Sequence, residues 1–422
     1  MLKNKLFLLL FSFLLNYSFC FAQQLGEIID KSIVVSKDVD LQGSVVDIPK
    51  GITLEIKGGT IKNGTLVGNQ TKLKCSEKAF DRVQIKGTWN VPEISTAMFT
   101  DLSYDNALKD VLAFAHPRVQ NTIVIEKGDY QVSAQDNADV CLTVPSNTTL
   151  VIDGTIRLQP NAFPRCDIIR ARGNDITICG EGSIVGDKHT HLGTEGEWGM
   201  GIRIQGVQNA SVKGVTVKDC WGDCIYVGGD SKSVLIENCT LDHGRRQGIS
   251  VTKADSVIIR NCTISNVSGA KPEYAIDLEP NEGDIVDHIT IEDVVISDCV
   301  GGILATVGKR NVERKTIGEI TVKNCSISVY KLYPISLRAF DTATIEGCTI
   351  KTNDEKAAIS VSDAKKVSVT DNKLEIESTF FGTIDRIKKV LRIKKVINKK
   401  YSPISVTDCQ KKSVKGNQVN NK

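Results

Sequence analysis

Aromatic side chains are scarce in this chain, 5% of 422 residues, and it has only ten prolines, three methionines and five histidines. So few large rings leave a core to be built from aliphatic and β-branched residues. Excess charge of one sign is also missing. The 53 Lys and Arg nearly balance 50 Asp and Glu, for a net +3, so the whole chain is no polyanion binder and no nucleic-acid partner is expected. Beyond the first residues no apolar run is long enough to span a membrane. Helical periodicity is nearly absent before the tail.

What is present is repetition. An isoleucine returns in one local frame: Gly201-Ile202-Arg203-Ile204, Cys224-Ile225-Tyr226-Val227, Gly248-Ile249-Ser250-Val251, Ala275-Ile276-Asp277-Leu278 and Gly302-Ile303-Leu304-Ala305. Further copies stand at Ile335, Ile359 and Ile404. Between them runs a second frame, as in Val234-x-Ile236-Glu237-Asn238-Cys239-Thr240-Leu241, Val257 to Ile264 and Ile320 to Ile327. Self-similarity at such a period signals a solenoid. Each unit holds short alternating strands and cannot bury its apolar face alone, whereas stacked units share one column. That predicts a parallel β-helix with one coil per repeat.

Residues 1–22 are expected to be a signal peptide. Lys3 and Lys5 precede an apolar run from Leu6 to Phe19, and Cys20-Phe21-Ala22 offers a small-x-small cleavage site. Phe19 before Cys20 suits lipid attachment poorly. The mature chain is expected to be exported: periplasmic, cell-surface or secreted. Twelve cysteines then remain. Seven of them (Cys220, Cys239, Cys262, Cys299, Cys325, Cys348 and Cys409) follow Asn, Asp or Gly in what reads as one repeated slot. A column of buried free thiols is the simpler reading, with Asn238, Asn261 and Asn324 as a polar ladder at the turn.

The organisation reads as follows. Residues 23–98 are a β-rich segment, either early coils or a small separate unit. Residues 99–374 are the coils. A helix near 105–115, capped by Asp105 and ended by Pro117, is expected to cover the open end. Residues 375–402 are a basic insertion, and 403–422 a last coil and polar tail.

Residues 101–158 carry a resemblance. Asp105-Asn106-Ala107-Leu108 is followed by Ile123-Val124-Ile125-x-x-Gly128-x-Tyr130 and by Val144-Pro145-Ser146-Asn147-Thr148-Thr149-Leu150-x-Ile152-x-Gly154. This resembles the opening of pectate-lyase-like and polygalacturonase-like proteins. The fold implied is all-β: a right-handed, single-stranded parallel β-helix (a solenoid) with a short N-terminal capping helix. The activities of such proteins divide among hydrolases, lyases, epimerases and tailspikes. Of the polygalacturonase motifs, Gly222-Asp223-Cys224-Ile225 is similar to the Gly-Asp-Asp element, so Asp223 carries over as an acid or base. The other three motif positions hold Met200, Gln247 and Ala275-Ile276-Asp277, a departure that makes ordinary polygalacturonase activity doubtful.

In each coil the residue between the inward isoleucine and valine points outward. That column is Arg203, Tyr226, Ser250, Asp277 and Leu304. A second column precedes the strand: Met200, Asp223, Gln247, Tyr274 and Gly301. Asp223, Asp277 and Glu279 are the candidate catalytic carboxylates. Trp198, Arg203, Trp221, Tyr226, His243, Arg245, Arg246 and Gln247 are candidate substrate-binding residues. The leading expectation is a glycoside hydrolase acting on a polysaccharide, acidic if the basic insertion lies beside the groove. The alternatives are a polysaccharide lyase using an Arg base, with Ca²⁺ on Asp277 and Glu279, and a non-catalytic glycan-binding or structural β-helix. Otherwise no cofactor is expected. His189 and His191 have ligand-like spacing but no clear third ligand, so no metal site is assigned.

Overall fold

The structure, a computed structural model, describes residues 24–307, 316–353, 356–377 and 402–421. The expected signal peptide and most of the basic insertion lie outside the described residues. Each coil has three short strands. In the coil of Ile225 they are Ile225–Gly228, Ser231–Glu237 and Thr240–Asp242. First and second strands join a 20-stranded sheet, and third strands form an 11-stranded one. Pairing between coils is parallel, and the isoleucines stand in register from Ile169 through Ile202, Ile225, Ile249, Ile276, Ile303, Ile335 and Ile359 to Ile404. From Ile169 to Ile359 all eight are 0% exposed. Fully burying one aliphatic side chain contributes roughly 1.5–3 kcal/mol, so this column alone is a large part of the driving force. Among the described residues, no helix is long and apolar enough to cross a membrane.

In the later coils the corner between second and third strands keeps one length. Val234 pairs with Val257, Ile289 and Ile320 in turn. Seven residues further on, Leu241, Ile264, Ile296 and Ile327 are likewise in register. The turn itself requires a left-handed residue, which Asn adopts at low cost. Asn238, Asn261 and Asn324 have φ of 55, 52 and 53°. The thiol that follows donates to the carbonyl two residues back, Cys239 to Glu237 at 3.3 Å, Cys262 to Arg260 at 3.2 Å and Cys325 to Lys323 at 3.2 Å. The asparagines are exposed and form no side-chain ladder. They are selected by backbone conformation instead. A true asparagine ladder occurs in the thiol's own slot two coils later, where the Asn372 amide donates to the Asn417 carbonyl oxygen at 2.9 Å.

The seven cysteines do not share one slot. Cys239, Cys262, Cys325 and Cys348 occupy the corner just described. Cys220 follows a third strand, Cys299 ends one, and Cys409 lies between a first and a second strand. The same local device, a left-handed residue followed by a thiol donating to the carbonyl two back, recurs at all three corners. Asp219 (φ 56°), Asp298 (φ 54°) and Asp408 (φ 52°) serve the last three. Sequence reading detects the device but not the corner.

Residues 24–95 also stack. Ser32–Val35, Thr53–Ile56, Ile61–Cys75 and Phe80–Asn90 pair successively in parallel. Glu93–Ser95 pairs with Asn121–Ile125, and one apolar cluster runs from Leu25 to Ile376. The helix is Ala107–Leu112, with Ala107, Leu108, Val111 and Leu112 buried. Asn106 rather than Asp105 precedes its first turn, because the Asp105 carboxylate accepts from the Ser133 hydroxyl at 2.7 Å. The helix packs against Phe80–Asn90 and Glu93–Ser95 as well as Asp129–Val132 and Asp139–Val144. It therefore fills a junction within the stack rather than covering an open end.

All twelve described cysteines, from Cys75 to Cys409, are free. Thiol titration of denatured, unreduced protein is expected to find nearly all of them reactive. A count below about half, the rest being held in bridges, would rule out packing as the reason for the repeated thiols.

Candidate active site

The outward column is in register as the repeat requires. Arg170, Arg203, Tyr226, Ser250, Asp277 and Leu304 pair successively across adjacent first strands. These residues do not line an open groove, however. Arg203 is 3% exposed, Ser250 1%, and Asp223, Gln247 and Asp277 are all 0%. The side chains fill one another's space. Gln247 donates to one Asp277 oxygen, and Ser250 donates to one Asp223 oxygen. Arg246, from the corner before the strand of Ile249, donates to the Gln247 side-chain Oε1 and stands 3.6 Å from Asp223, 3.7 Å from Glu197 and 3.5 Å from Glu279. Asp223 and Asp277 each keep a second oxygen that is buried and has no hydrogen-bond partner.

Burial dominates the electrostatics. It pushes the Asp223 carboxyl up to about 6, against the opposing pull of Arg246 and Ser250. Asp277 is raised well above the ordinary carboxylate range, first by burial and then by the charge of Glu279. Burial works against the charge on Arg246, but Asp223, Glu197, Asp277 and Glu279 together hold its pKa above the usual value. Both acids therefore hold their protons to higher pH than ordinary carboxyls, and Arg246 beside them stays cationic. The two carboxyls stand two coils apart, Asp277 within a first strand and Asp223 at the corner before one.

The remaining candidates are arranged around this cluster. Arg203 donates to Asp167 at 2.9 Å and lies 4.3 Å from the Tyr226 ring centroid, while the Tyr226 hydroxyl meets Thr252 at 2.7 Å. Trp221 stacks on His191 with centroids 3.8 Å apart, and the Arg245 guanidinium lies 3.7 Å from the Trp221 ring. Arg245 also donates to the Gly196 carbonyl at 2.8 Å, which ties the 186–197 excursion to this corner. Trp198 is 46% exposed. Glu279 sits at the rim, its side chain 45% exposed. His243 is directed away, to Asp242 at 2.7 Å and toward His189. Asp242 also takes Ser265 and Asn266, so neither Arg245 nor Arg246 needs it.

Sequence reasoning leaves out Asp167, Ser250 and the Asp187–His191 pair. Asp167 precedes Ile169 by two, and its register partner is Met200. Extending the column one coil back would have found it. Ser250 stands in the column but carries no chemical signal of its own. His191 is buried against Asp187 at 2.7 Å, a contact its spacing from His189 does not suggest. Among the described residues no three His, Cys, Asp or Glu are grouped to hold a metal ion. Asp277 and Glu279 do not fit Ca²⁺, which takes six to eight oxygens. Gln247 already donates to Asp277, and the Arg246 cation stands against Glu279.

Residues 200–312 match the sequence model of a family described as right handed beta helix region. The A-module of the mannuronan C-5 epimerase AlgE6 of Azotobacter vinelandii superposes with a TM-score of 0.54, over 76% of this chain and 96% of that module, at 12% identity. The chain is a right-handed parallel β-helix. In sequence this β-helix is similar to two Bacillus subtilis (strain 168) proteins. One is the SPbeta prophage-derived uncharacterized protein YorA, 24% identical over 302 residues (63% of this chain and 51% of YorA). The other is the uncharacterized protein YclG, 28% identical over 208 residues (42% of this chain and 35% of YclG). The β-helix thus spans about half or less of the length of these relatives.

The buried acids predict a pH-dependent stability. A carboxyl whose folded pKa is raised supports folding most at pH below its unfolded value, and that support is lost as pH rises through the folded pKa. For Asp223 the window runs from the usual 3.8 to about 6, worth roughly 3 kcal/mol at most. Denaturant unfolding of the wild type is expected to weaken between pH 4 and pH 7, and Asp223→Asn to flatten that decline. An identical decline in the variant would show that Asp223 titrates normally.

Proposed function

We propose that this β-helix hydrolyses a polysaccharide, with Asp277 as general acid and Asp223 as general base. The observation that carries the reading is the pair of sealed carboxyls two coils apart, each with an unpartnered oxygen and each raised by burial, with Arg246 beside Asp223 and the charge of Glu279 acting on Asp277. Divergent environments for two nearby acids are how one site supplies both a proton donor and an acceptor. The Asp277 carboxyl gives its proton to the glycosidic oxygen as the bond to the anomeric carbon breaks. The Asp223 carboxylate takes a proton from the water that attacks that carbon. Two coil steps give their coils an axial spacing of roughly 9.6 Å at ~4.8 Å per strand, at the upper limit of the ~6.5–9.5 Å between the carboxyls of inverting enzymes. Glu279 keeps Asp277 protonated through its charge, and Arg246 keeps Asp223 ionised. Both acids are sealed, so side chains at the rim must shift for substrate to reach them.

The fold shared with an epimerase named for mannuronan accords with a polysaccharide partner, and the leader-like start accords with work outside the cytoplasm. The lyase reading has less support. An Arg base must lose its proton, and four acids hold Arg246 protonated.

The test is turnover on a panel of plant, algal and host glycans. Release of reducing ends without the absorbance of unsaturated uronates is expected, and that absorbance would mean elimination instead. Asp277→Asn is expected to lower the rate by about 10²–10⁴-fold while the protein still melts cooperatively. Activity within a few-fold of wild type would remove Asp277 from the mechanism. The pH–rate profile is expected to be bell-shaped, its acidic limb near 6 from Asp223 and its alkaline limb from Asp277.

A further inference from the structure

The charge of the sugar can be read from how the site's cations are already engaged. Arg170 and Arg203 both bind Asp167. Arg245 is directed to the Gly196 carbonyl and the Trp221 ring. Arg246 stands among Asp223, Glu197 and Glu279. Among the described residues, the one cation in ion-pair range of either buried acid is Arg246, and it faces more negative charge than it carries. The two groups of this cluster most open to solvent are themselves anionic, with Glu197 and Glu279 side chains 37% and 45% exposed. Arg165 is an exposed cation on the same sheet, in register with Trp198. It lies two coil steps from the strand of Ile225, roughly 10 Å at ~4.8 Å each, beyond the ~8 Å screening length at physiological salt.

Among the described residues, a uronate or sulfate group brought to Asp223 and Asp277 would meet a negative rim and no uncommitted cation in ion-pair range of either acid. Capturing Arg246 for itself, it would leave Asp223 buried and uncompensated, and breaking a buried ion pair is strongly unfavourable. Sugar hydroxyls meet no such obstacle. Each hydroxyl both donates and accepts. Among the described residues, the buried polar atoms without hydrogen-bond partners around this site include an oxygen on each acid, the Nε–H of Arg246, the Trp221 indole N–H and His191 Nε2. The half-exposed Trp198 adds an aromatic face suited to an uncharged ring. The expectation of an acidic polymer rested on residues 375–402, most of which lie outside the described residues, and the site itself points the other way.

We infer that the glycosyl unit bound at Asp223 and Asp277 is uncharged, a neutral hexose or N-acylated amino sugar rather than a uronate or sulfated sugar; this rests on the hydrolase reading above. The experiment compares matched pairs of polymers, each a polyuronate and its carboxyl-reduced form with the same linkage, alongside naturally neutral glycans. Reducing-end release is the first readout. Affinity electrophoresis with Asp277→Asn, which binds without turnover, is the second. The inference expects at least tenfold preference for the neutral member in both, and a several-fold narrowing of that preference in Glu197→Gln at low salt. Equal or faster cleavage of the polyuronate overturns the inference and leaves the hydrolase reading standing. Preferential binding of a neutral polymer with no cleavage anywhere supports the inference and overturns the hydrolase reading. Binding to no polymer of the panel overturns both.

Discussion

In-register parallel pairing is the constraint on which everything else in this molecule depends. With one isoleucine per coil held against the next, each neighbouring position becomes a column about 4.8 Å in pitch. A column is indifferent to chemistry. Inside, it repeats an aliphatic residue because the interior must be filled. Outside, it can change at every step, and from Arg203 to Leu304 it does so. The site is therefore composed of consecutive letters of two columns, and its geometry is inherited from the core.

The outward face also shows what happens when a column is crowded with polar groups. Arg203 bonds Asp167, Ser250 bonds Asp223 and Gln247 bonds Asp277, and all six are buried. Desolvation then sets the protonation states. An exposed version of the same strand would have two ordinary ionised aspartates and little capacity for proton transfer at neutral pH. Arg246 is the counterweight: it compensates Asp223 without neutralising Asp277, since Gln247 rather than the guanidinium binds that carboxyl directly.

The fold was legible in the sequence because the repeat is a direct image of the register. The interval from Val234 to Leu241 recurs from coil to coil, and both its ends are buried throughout. The outward columns followed from the same frame, so Asp223, Asp277, Gln247 and Arg246 could be named from alternation alone. Burial of those columns could not be named. It arises from side chains of different coils meeting in three dimensions, and from the 186–197 excursion that Arg245 holds against the Trp221 corner. The cysteine pattern misled for a related reason. A left-handed residue before a thiol is a local signal, and any corner of the coil can use it.

The three corners differ in one further respect. From Ala210 onward the one between second and third strands keeps its length, whereas the one after the third strand runs from Ile296 to Ile303 in one coil and from Ile264 to Ile276 in another. Asp223, Arg245, Arg246 and Gln247 all belong to that variable corner. Insertions there leave the register of every column untouched, so the surroundings of the acids can be rewritten without renegotiating the core. In evolutionary terms the scaffold separates heredity of shape from heredity of specificity, and the division falls within each coil rather than between domains.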